Sequence, residues 1–277
     1  MAASILIDFS RLCLHTMTTK PWNLTQCVEN YRDAGIAGIT IWRNLLDRST
    51  IKEAPKVLRD NNMHVVSLCR GGFFASASKL KRAESIADNL RAIDEASVIG
   101  APLIILVCGS DMNQSLEKSR EQIKEGILKI LPQARSAGIR LAVEPLHPMY
   151  AGDRSAINTM KQANDLVAQI NSEWVGIAVD TFHVWWDNML REEIRVAGEK
   201  GSLFAFHVSD WLVPMADFLN DRGLMGTGCI DIPGIRGWVE ESGFKGFIEV
   251  EIFSEKYWSM DQLNYLSLIK QAFLNKT

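Results

Sequence analysis

The chain has no excess of charge of either sign and no long run of basic residues. Its 277 residues include 33 acidic and 30 basic side chains, which give a formal net charge of −3. Binding to nucleic-acid phosphates requires a clustered positive surface, and the sequence contains no long basic run that would supply one, although a local basic groove is compatible with a neutral average. We therefore expect no nucleic-acid partner.

Cysteines are few, and none is spaced to act with another. The five thiols are dispersed without a Cys-x-x-Cys pair: Cys13, Cys27, Cys69, Cys108 and Cys229. An odd, scattered set argues against a disulfide framework and against a zinc site built on cysteines. Free thiols are typical of a reducing compartment, so we expect a cytoplasmic protein.

Long hydrophobic runs are also missing. The longest, APLIILVCG, is far shorter than the roughly 20 apolar residues that a membrane-spanning helix needs. The N-terminal stretch MAASILIDFSRLCLHT has neither a basic start nor a long apolar segment, so it does not resemble a signal peptide. We therefore expect no membrane association.

Short apolar runs alternate with amphipathic segments along the whole chain. Eight runs have the composition of buried strands: RLCLHT, GITIW, HVVSLC, LIILVCG, IRLAVEP, VGIAVD, LFAFHVS and GFIEVEIF. The segments between them have helical periodicity. Several of these end in glycine, which favours the left-handed backbone at a helix C-terminus: Gly35, Gly100, Gly138 and Gly243.

This alternation of strands and helices favours a parallel sheet covered by helices, which is the α/β class. Eight such units in a chain of this length predict a (β/α)8 TIM barrel. No linker rich in proline, glycine or serine divides the chain, so we expect a single domain over residues 1–277. An open doubly wound sheet is the alternative. Its dinucleotide-binding version is weak, because no GxGxxG loop follows the first strand.

Polar side chains gather at the predicted strand ends, where barrel enzymes carry their chemistry. Four of the five histidines lie there or just beyond: His15, His147, His183 and His207. One such residue is more often a helix cap than a ligand. A set from several strands is harder to explain in that way.

Four of these side chains come from four consecutive strands and should converge on one point: Glu144, Asp180, His207 and Glu251. Three carboxylates packed beside one imidazole repel one another unless a cation lies between them. A set of oxygen ligands with one histidine suits manganese or magnesium, and cobalt, iron or zinc are also compatible. The sequence therefore predicts a site for one divalent metal ion, preferably Mn2+. Glu249 lies one layer deeper than Glu251, and we expect an Arg or Lys to pair with it.

The motifs on these strands are similar to those of a known family. LAVEP, VDTFH, FHVSD and GFIEVEIF occur in this order, and the likeness covers nearly the whole chain. The chain resembles the sugar phosphate isomerase/epimerase superfamily, whose members have a xylose isomerase-like TIM barrel. The segment from HVSDW to EIFSEKYW looks most like the branch of inosose isomerases and keto-sugar 3-epimerases. EPLHP is more similar to the catalytic subunits of C-glycoside deglycosidases, which work with a small second subunit.

The resemblance implies roles for individual residues. It implies that the four converging side chains bind one catalytic metal, and that Glu144 and Glu251 flank the substrate carbon as an acid/base pair. It also places three further residues around the substrate: His15, His183 and Arg222. His147 departs from the plain keto-sugar epimerases and is the residue most able to change the position of the base.

The chemistry expected of this site is removal of a proton from a carbon beside a carbonyl. We expect a metal-dependent isomerase or epimerase of a keto sugar, a sugar phosphate or an inosose. If the enolate instead expels a β-substituent, the enzyme is a lyase, either an inosose dehydratase or the catalytic subunit of a 3-keto C-glycoside deglycosidase. His147 favours this alternative. The third alternative is an AP endonuclease or a non-enzymatic metal-binding barrel. A three-metal nuclease would need more histidines and a more basic chain.

Aromatic and basic residues in the predicted mouth loops complete the candidate set. Trp185 and Trp211 could stack on the C–H face of a sugar or pack the top of the barrel. Arg43 and Arg70 could hold a phosphate or carboxylate, although a structural salt bridge is the commoner role. As partners we expect a small-molecule carbohydrate, further copies of the chain in a homo-oligomer and, in the lyase case, a small second subunit.

Two acidic residues and one glycine-rich segment near the end of the chain are expected to have local roles. We expect Asp210 and Asp231 to cap backbone N–H groups or support the site from behind. Gly226–Gly228 could cradle a phosphate, but a plain turn is the favoured interpretation.

Overall fold

Eight parallel strands close into a barrel in the computed structural model, which describes residues 5–277. The barrel strands are β1 (Leu12–His15), β2 (Gly38–Trp42), β3 (His64–Gly72), β4 (Leu103–Val107), β5 (Arg140–Val143), β6 (Val175–Asp180), β7 (Leu203–Val208) and β10 (Ile248–Val250). A short antiparallel ribbon, β8 (Asp210–Trp211) and β9 (Arg222–Gly223), lies between the last two of them in the chain. β1 pairs with both β2 and β10, which closes the ring. The predicted TIM barrel is confirmed.

Helices follow the strands and cover the outside of the barrel. They are α1 (Leu24–Asp33), α2 (Thr50–Asp60), α3 (Lys79–Ile99), α4 (Leu116–Ser136), α5 (Met160–Ile170), α6 (Thr181–Val184), α7 (Leu190–Glu199), α8 (Ile232–Glu241), α9 (Glu255–Trp258) and α10 (Gln262–Lys276). Ser78, Ser115 and Thr159 each accept a backbone N–H bond at the start of a long helix, which fixes where that helix begins. Within the described residues, no helix has both the length and the apolarity to span a membrane.

The predicted glycine positions at the helix ends have a left-handed backbone. Gly35, Gly100, Gly138 and Gly243 have φ angles of 74°, 74°, 71° and 96°. A residue with a side chain rarely adopts this conformation, so the glycines set the point at which each helix turns back toward the barrel. The prediction made for them is confirmed.

The hydrophobic core has two parts, because side chains alternate along each strand. The larger part lies between the barrel and its helices, and contains residues such as Ile104, Leu141 and Val179. The smaller part lies inside the barrel, where the apolar residues are Cys69, Leu103, Ile105, Ala142, Ala178 and Ala205. Toward the C-terminal ends of the strands, the inward positions of β1, β6, β7 and β10 carry polar residues instead.

β3 is longer than the predicted HVVSLC and continues to Gly72. Gly72 has φ +108°, and an added Cβ would lie 1.9 Å from the Val107 carbonyl oxygen, so only glycine fits there. The next residue, Phe73, donates its backbone N–H to that same oxygen at 2.7 Å. This close approach holds Arg70 and Phe73 at the mouth of the barrel.

Candidate metal centre and active site

Four buried side chains meet at the C-terminal mouth of the barrel: Glu144, Asp180, His207 and Glu251. Each offers one ligand atom, and the four atoms lie within 4.8 Å of one another. They come from β5, β6, β7 and β10, which are neighbours in the barrel, so their inward-facing ends must converge. The structure thus brings together the residues predicted as ligands; their role as ligands stays a prediction.

The ring of His207 is oriented with Nδ1 toward the carboxylates. Nδ1 lies 3.0 Å from Oε1 of Glu144 and 3.9 Å from Oε2 of Glu251. Nε2 points deeper into the barrel, 3.7 Å from Oε1 of Glu249, and has no hydrogen-bond partner among the described residues. Histidine ligands commonly present one nitrogen to a metal and direct the other to a carboxylate. The orientation of His207 fits that arrangement.

The electrostatics of the cluster also fit a bound cation. Burial raises the pKa of Asp180 to about 7; the charge of Arg222 opposes this rise, and the carboxylates of Glu251 and Glu144 add to it. The neighbouring carboxylates thus disfavour the ionised form of Asp180. A divalent cation at the centre would remove that repulsion, and oxygen-rich donor sets of this kind bind such ions. The four residues could hold one divalent metal.

Glu251 has two further cationic neighbours. Nη1 of Arg222 lies 2.9 Å from its Oε2, and Nδ1 of His15 lies 3.0 Å from its Oε1. Burial raises the pKa of Glu251, but the charges of His15 and Arg222 outweigh it and hold that pKa well below its usual value. Glu251 is thus kept as a carboxylate, which is the form that accepts a proton.

Glu249 lies in the layer beneath, as predicted, but its partners differ from those expected. Its Oε2 accepts hydrogen bonds from Thr40 at 2.5 Å and Ser67 at 3.3 Å, and lies 3.3 Å from Nε2 of His15. The expectation of an Arg or Lys partner was wrong, because small hydroxyl groups from β2 and β3 fill the narrow interior. They leave no space for a long basic side chain.

A cavity of about 240 Å3 opens directly above the cluster. Five of the predicted candidate residues line it: Arg70, Glu144, His183, Arg222 and Glu251. Asp180, His207 and His15 are fully buried beneath and do not line it. Of the three carboxylates in the cluster, Glu144 and Glu251 are thus the two that face the cavity.

His183 and Arg222, both predicted to contact substrate, lie side by side at the cavity wall. Nη2 of Arg222 lies 3.2 Å from Nε2 of His183, and Nη1 of Arg222 lies 3.0 Å from Oδ2 of Asp180. Burial and the neighbouring Arg222 charge hold the pKa of His183 well below its usual value. His183 is therefore a neutral imidazole beside a fixed guanidinium.

His147, Trp185 and Trp211 form an aromatic group beside the cavity and do not line it. The His147 ring centroid is 4.8 Å from that of Trp211, which is 5.6 Å from that of Trp185. Nδ1 of His147 accepts the backbone N–H of Met149 at 3.2 Å. The structure therefore does not bring His147 to the reacting carbon's expected position. The acid/base role predicted for it stays untested, as do the substrate contacts of both tryptophans.

Arg43 also does not line the cavity. Its guanidinium binds two carboxylates of α3, Asp88 at 2.8 Å and Glu95 at 2.5 Å. These ion pairs join β2 to the neighbouring helix, so the geometry matches the structural role rather than the anion-binding role considered for it.

Asp210 organises the loop after β7. Its carboxylate accepts the backbone N–H groups of Trp211, Gly226, Gly228 and Ile230 at 2.8–3.0 Å. The capping role predicted for Asp210 is therefore confirmed. Two N–H groups of Gly226–Gly228 are already taken, which agrees with a plain turn. Asp231 likewise accepts the N–H of Gly234 at the start of α8.

Sequence reasoning missed several residues of the cavity wall, above all Lys20, Tyr150 and Arg154. Lys20 lies in the loop after β1, and the other two lie in the loop after β5. Their position in loops at the C-terminal face was the available indication. It did not distinguish them from the many other loop residues there.

Comparison with known proteins places this geometry in a family. The sequence profile of the xylose isomerase-like TIM barrels matches residues 28–272. An inosose isomerase of Bacillus licheniformis is 24% identical, over 95% of this chain and 96% of the relative. A solved protein of Sinorhizobium meliloti 1021 has a TM-score of 0.94 and 38% identity, over 97% of this chain and 99% of that one. The IolI protein, solved with a zinc atom, has a TM-score of 0.84 and 20% identity, over 96% and 97% of the two chains, and shares the fold.

Proposed function

We propose, from the premise that the chain belongs to the xylose isomerase-like TIM barrel family, that it is a divalent-metal-dependent isomerase or epimerase. Its substrate would be a keto sugar, a sugar phosphate or an inosose. The observation that carries the proposal is the cluster of four ligand atoms within 4.8 Å, whose two glutamates face the cavity. The relative named as an inosose isomerase, which matches over almost the full length of both chains, supports the same class.

Glu144, Asp180, His207 and Glu251 would hold the metal. A bound divalent ion would supply Lewis-acid polarisation of a substrate carbonyl, which makes the neighbouring C–H bond acidic enough to break. Mn2+ is our first choice because three of the four ligands are carboxylates. Zinc remains an alternative, and the zinc atom in the IolI structure supports it.

The chain's own residues then have separate tasks. Glu251 accepts a proton from the carbon beside the carbonyl, since His15 and Arg222 keep it ionised. Glu144, which also lines the cavity, returns a proton to the other face of that carbon or to the next carbon. His183 and Arg222 hold substrate oxygens, and the apolar walls that include Leu146 and Phe253 exclude water.

The test is a panel of candidate substrates offered to the manganese-loaded protein in heavy water. The panel contains neutral ketoses, ketose phosphates, inososes and 3-keto glycosides, and products are followed by NMR and mass spectrometry. Deuterium incorporation or inversion with the carbon skeleton intact supports the proposal. Loss of water or of an aglycone would identify the lyase alternative. Binding and cleavage of DNA in a separate assay would identify the endonuclease.

A further inference from the structure

Both acidic and basic side chains line the cavity. The only carboxylates among its lining residues are Glu144 and Glu251, which belong to the metal cluster. Apart from Arg222, which is bound to that cluster, three cationic side chains line the cavity: Lys20, Arg70 and Arg154. These three, which we call the basic wall, have no carboxylate of the cavity left to neutralise them.

Arg70 is the most unusual member of the basic wall. Its guanidinium lies 4.1 Å from the centre of the Phe73 ring, and the side chain is half-buried. Among residues 5–277 it makes no ion pair, and none of its guanidinium N–H groups donates a hydrogen bond. Its neighbour Arg43 instead takes Asp88 and Glu95, the acidic groups of α3 that could have served it. A half-buried guanidinium that no carboxylate neutralises is available to bind an anion.

The other two members are also weakly paired. The nearest carboxylate to Arg154 is that of Asp153, with Nε 3.9 Å from Oδ2, which is at the limit of an ion pair. Nζ of Lys20 lies 4.1 Å from the centre of the Trp258 ring and has no carboxylate partner among the described residues. Burial lowers the pKa of Arg70, and the positive charge of Arg154 lowers it further. Arg70 and Arg154 thus carry like charges that repel each other beside the cavity.

We propose that the substrate carries an oxyanion, either a carboxylate or a phosphate, and that Arg70, Arg154 and Lys20 bind it. The inference rests on the proposed function, because it places the reacting carbon of the same molecule at the two glutamates. Arginine presents a planar fork of N–H donors that matches the oxygens of both anions. The volume of about 240 Å3 lies below the roughly 300–1,000 Å3 typical of sites for drug-sized ligands, so the molecule would be about the size of a monosaccharide.

Binding can be measured without turnover. The full-length, metal-loaded protein would be titrated calorimetrically with inorganic phosphate and, separately, with acetate, and then again after chelation to separate binding at the metal. We expect saturable binding of at least one anion in both states. Arg70→Gln should weaken it about 10–100-fold, the loss expected when charge-assisted hydrogen bonds are removed, and Arg70→Lys should weaken it less. Arg135→Gln, which removes an exposed charge at the end of α4, should leave it unchanged.

Turnover provides the second arm and identifies the anion. For any sugar that the enzyme converts, Arg70→Gln should reduce kcat/KM for the anionic form at least tenfold more than for the neutral analogue. Ketose phosphates and keto sugar acids are compared to decide between phosphate and carboxylate. Equal losses for charged and neutral sugars would overturn the proposal, as would anion binding that Arg70→Gln leaves intact.

The two arms separate failure of this inference from failure of the proposed function. Conversion of neutral ketoses, without saturable anion binding, would overturn the anion site and leave the isomerase. Anion binding that depends on Arg70, without proton exchange in any sugar, would leave the anion site and overturn the isomerase.

Discussion

The Nε2 atom of His207 lies 3.7 Å from Oε1 of Glu249, on the side of the ring opposite the three converging carboxylates. This relationship gives Glu249 a positioning role, since its charge would fix the orientation and the tautomer of a histidine that presents Nδ1 to a metal. We expect Glu249→Gln to weaken the affinity for Mn2+ about 10–100-fold. The measurement is a calorimetric titration of chelated protein with Mn2+, with the exposed Glu84→Gln as control. Equal affinities for Mn2+ in the unsubstituted protein, Glu249→Gln and Glu84→Gln would rule out this role.

Metal binding should also stabilise the fold. A ligand that binds only the folded protein adds about 2.7 kcal/mol when it is present at a hundred times its dissociation constant. We expect the unfolding temperature of the chelated protein to rise with added Mn2+, and His207→Ala to lose both the rise and the bound metal. Elemental analysis and thermal scans of the two proteins provide the check. A full thermal response in His207→Ala would place the metal elsewhere.

His147 should make stability depend on pH in a predictable direction. Burial lowers its pKa below the ordinary value of 6.5. At pH values between the lowered pKa of the folded protein and 6.5, the unfolded chain binds the proton more strongly than the folded protein does. The free energy of unfolding therefore rises as pH increases toward about 6.5 and then levels off. In the His147→Gln variant, this contribution of His147 to the pH dependence of the free energy of unfolding should be absent. Urea unfolding of both proteins at pH 5 and pH 8 tests it, and identical pH dependence would refute the assignment.

Arg43 is expected to contribute to stability rather than to binding. Arg43→Gln leaves Asp88 and Glu95 without their shared partner and should lower the free energy of unfolding by about 1–3 kcal/mol. The exposed Arg48→Gln in the same loop serves as control. If Arg43→Gln instead raised KM without loss of stability, the anion-binding role considered from the sequence would be favoured.

The barrel could be predicted because each strand is marked by its own residues. VGIAVD coincides with β6, since an apolar run flanked by polar residues has clear ends. β10 is shorter than GFIEVEIF, because ladder pairing covers only Ile248–Val250 and depends on the neighbouring strands. The ribbon of β8 and β9 could not be foreseen. The two strands are joined by a loop, and they pair only because tertiary contacts, such as those of Asp210, fix the path of the chain around them.

The site was predictable to the extent that strand geometry fixes it. Parallel strands end at one mouth, and alternation directs Glu144, Asp180 and Glu251 inward, so their convergence follows from the pattern. Loop residues obey no such rule, and Lys20 and Arg154 reach the cavity only through the folding of their loops. Arg43 directly follows β2, and its pairing with Asp88 and Glu95 depends on how α3 packs against β2 and β3.

The most direct test of the central claim is the exchange of a substrate proton for deuterium, measured with the first sugar that the enzyme converts. We expect the manganese-loaded protein to catalyse exchange and chelation to abolish it, with recovery when Mn2+ is restored. Glu144→Gln and Glu251→Gln should each reduce the rate at least about 100-fold, the contribution typical of a general acid or base. The exposed Glu125→Gln should not change it. Undiminished exchange in chelated protein, with no residual metal by elemental analysis, would contradict the account.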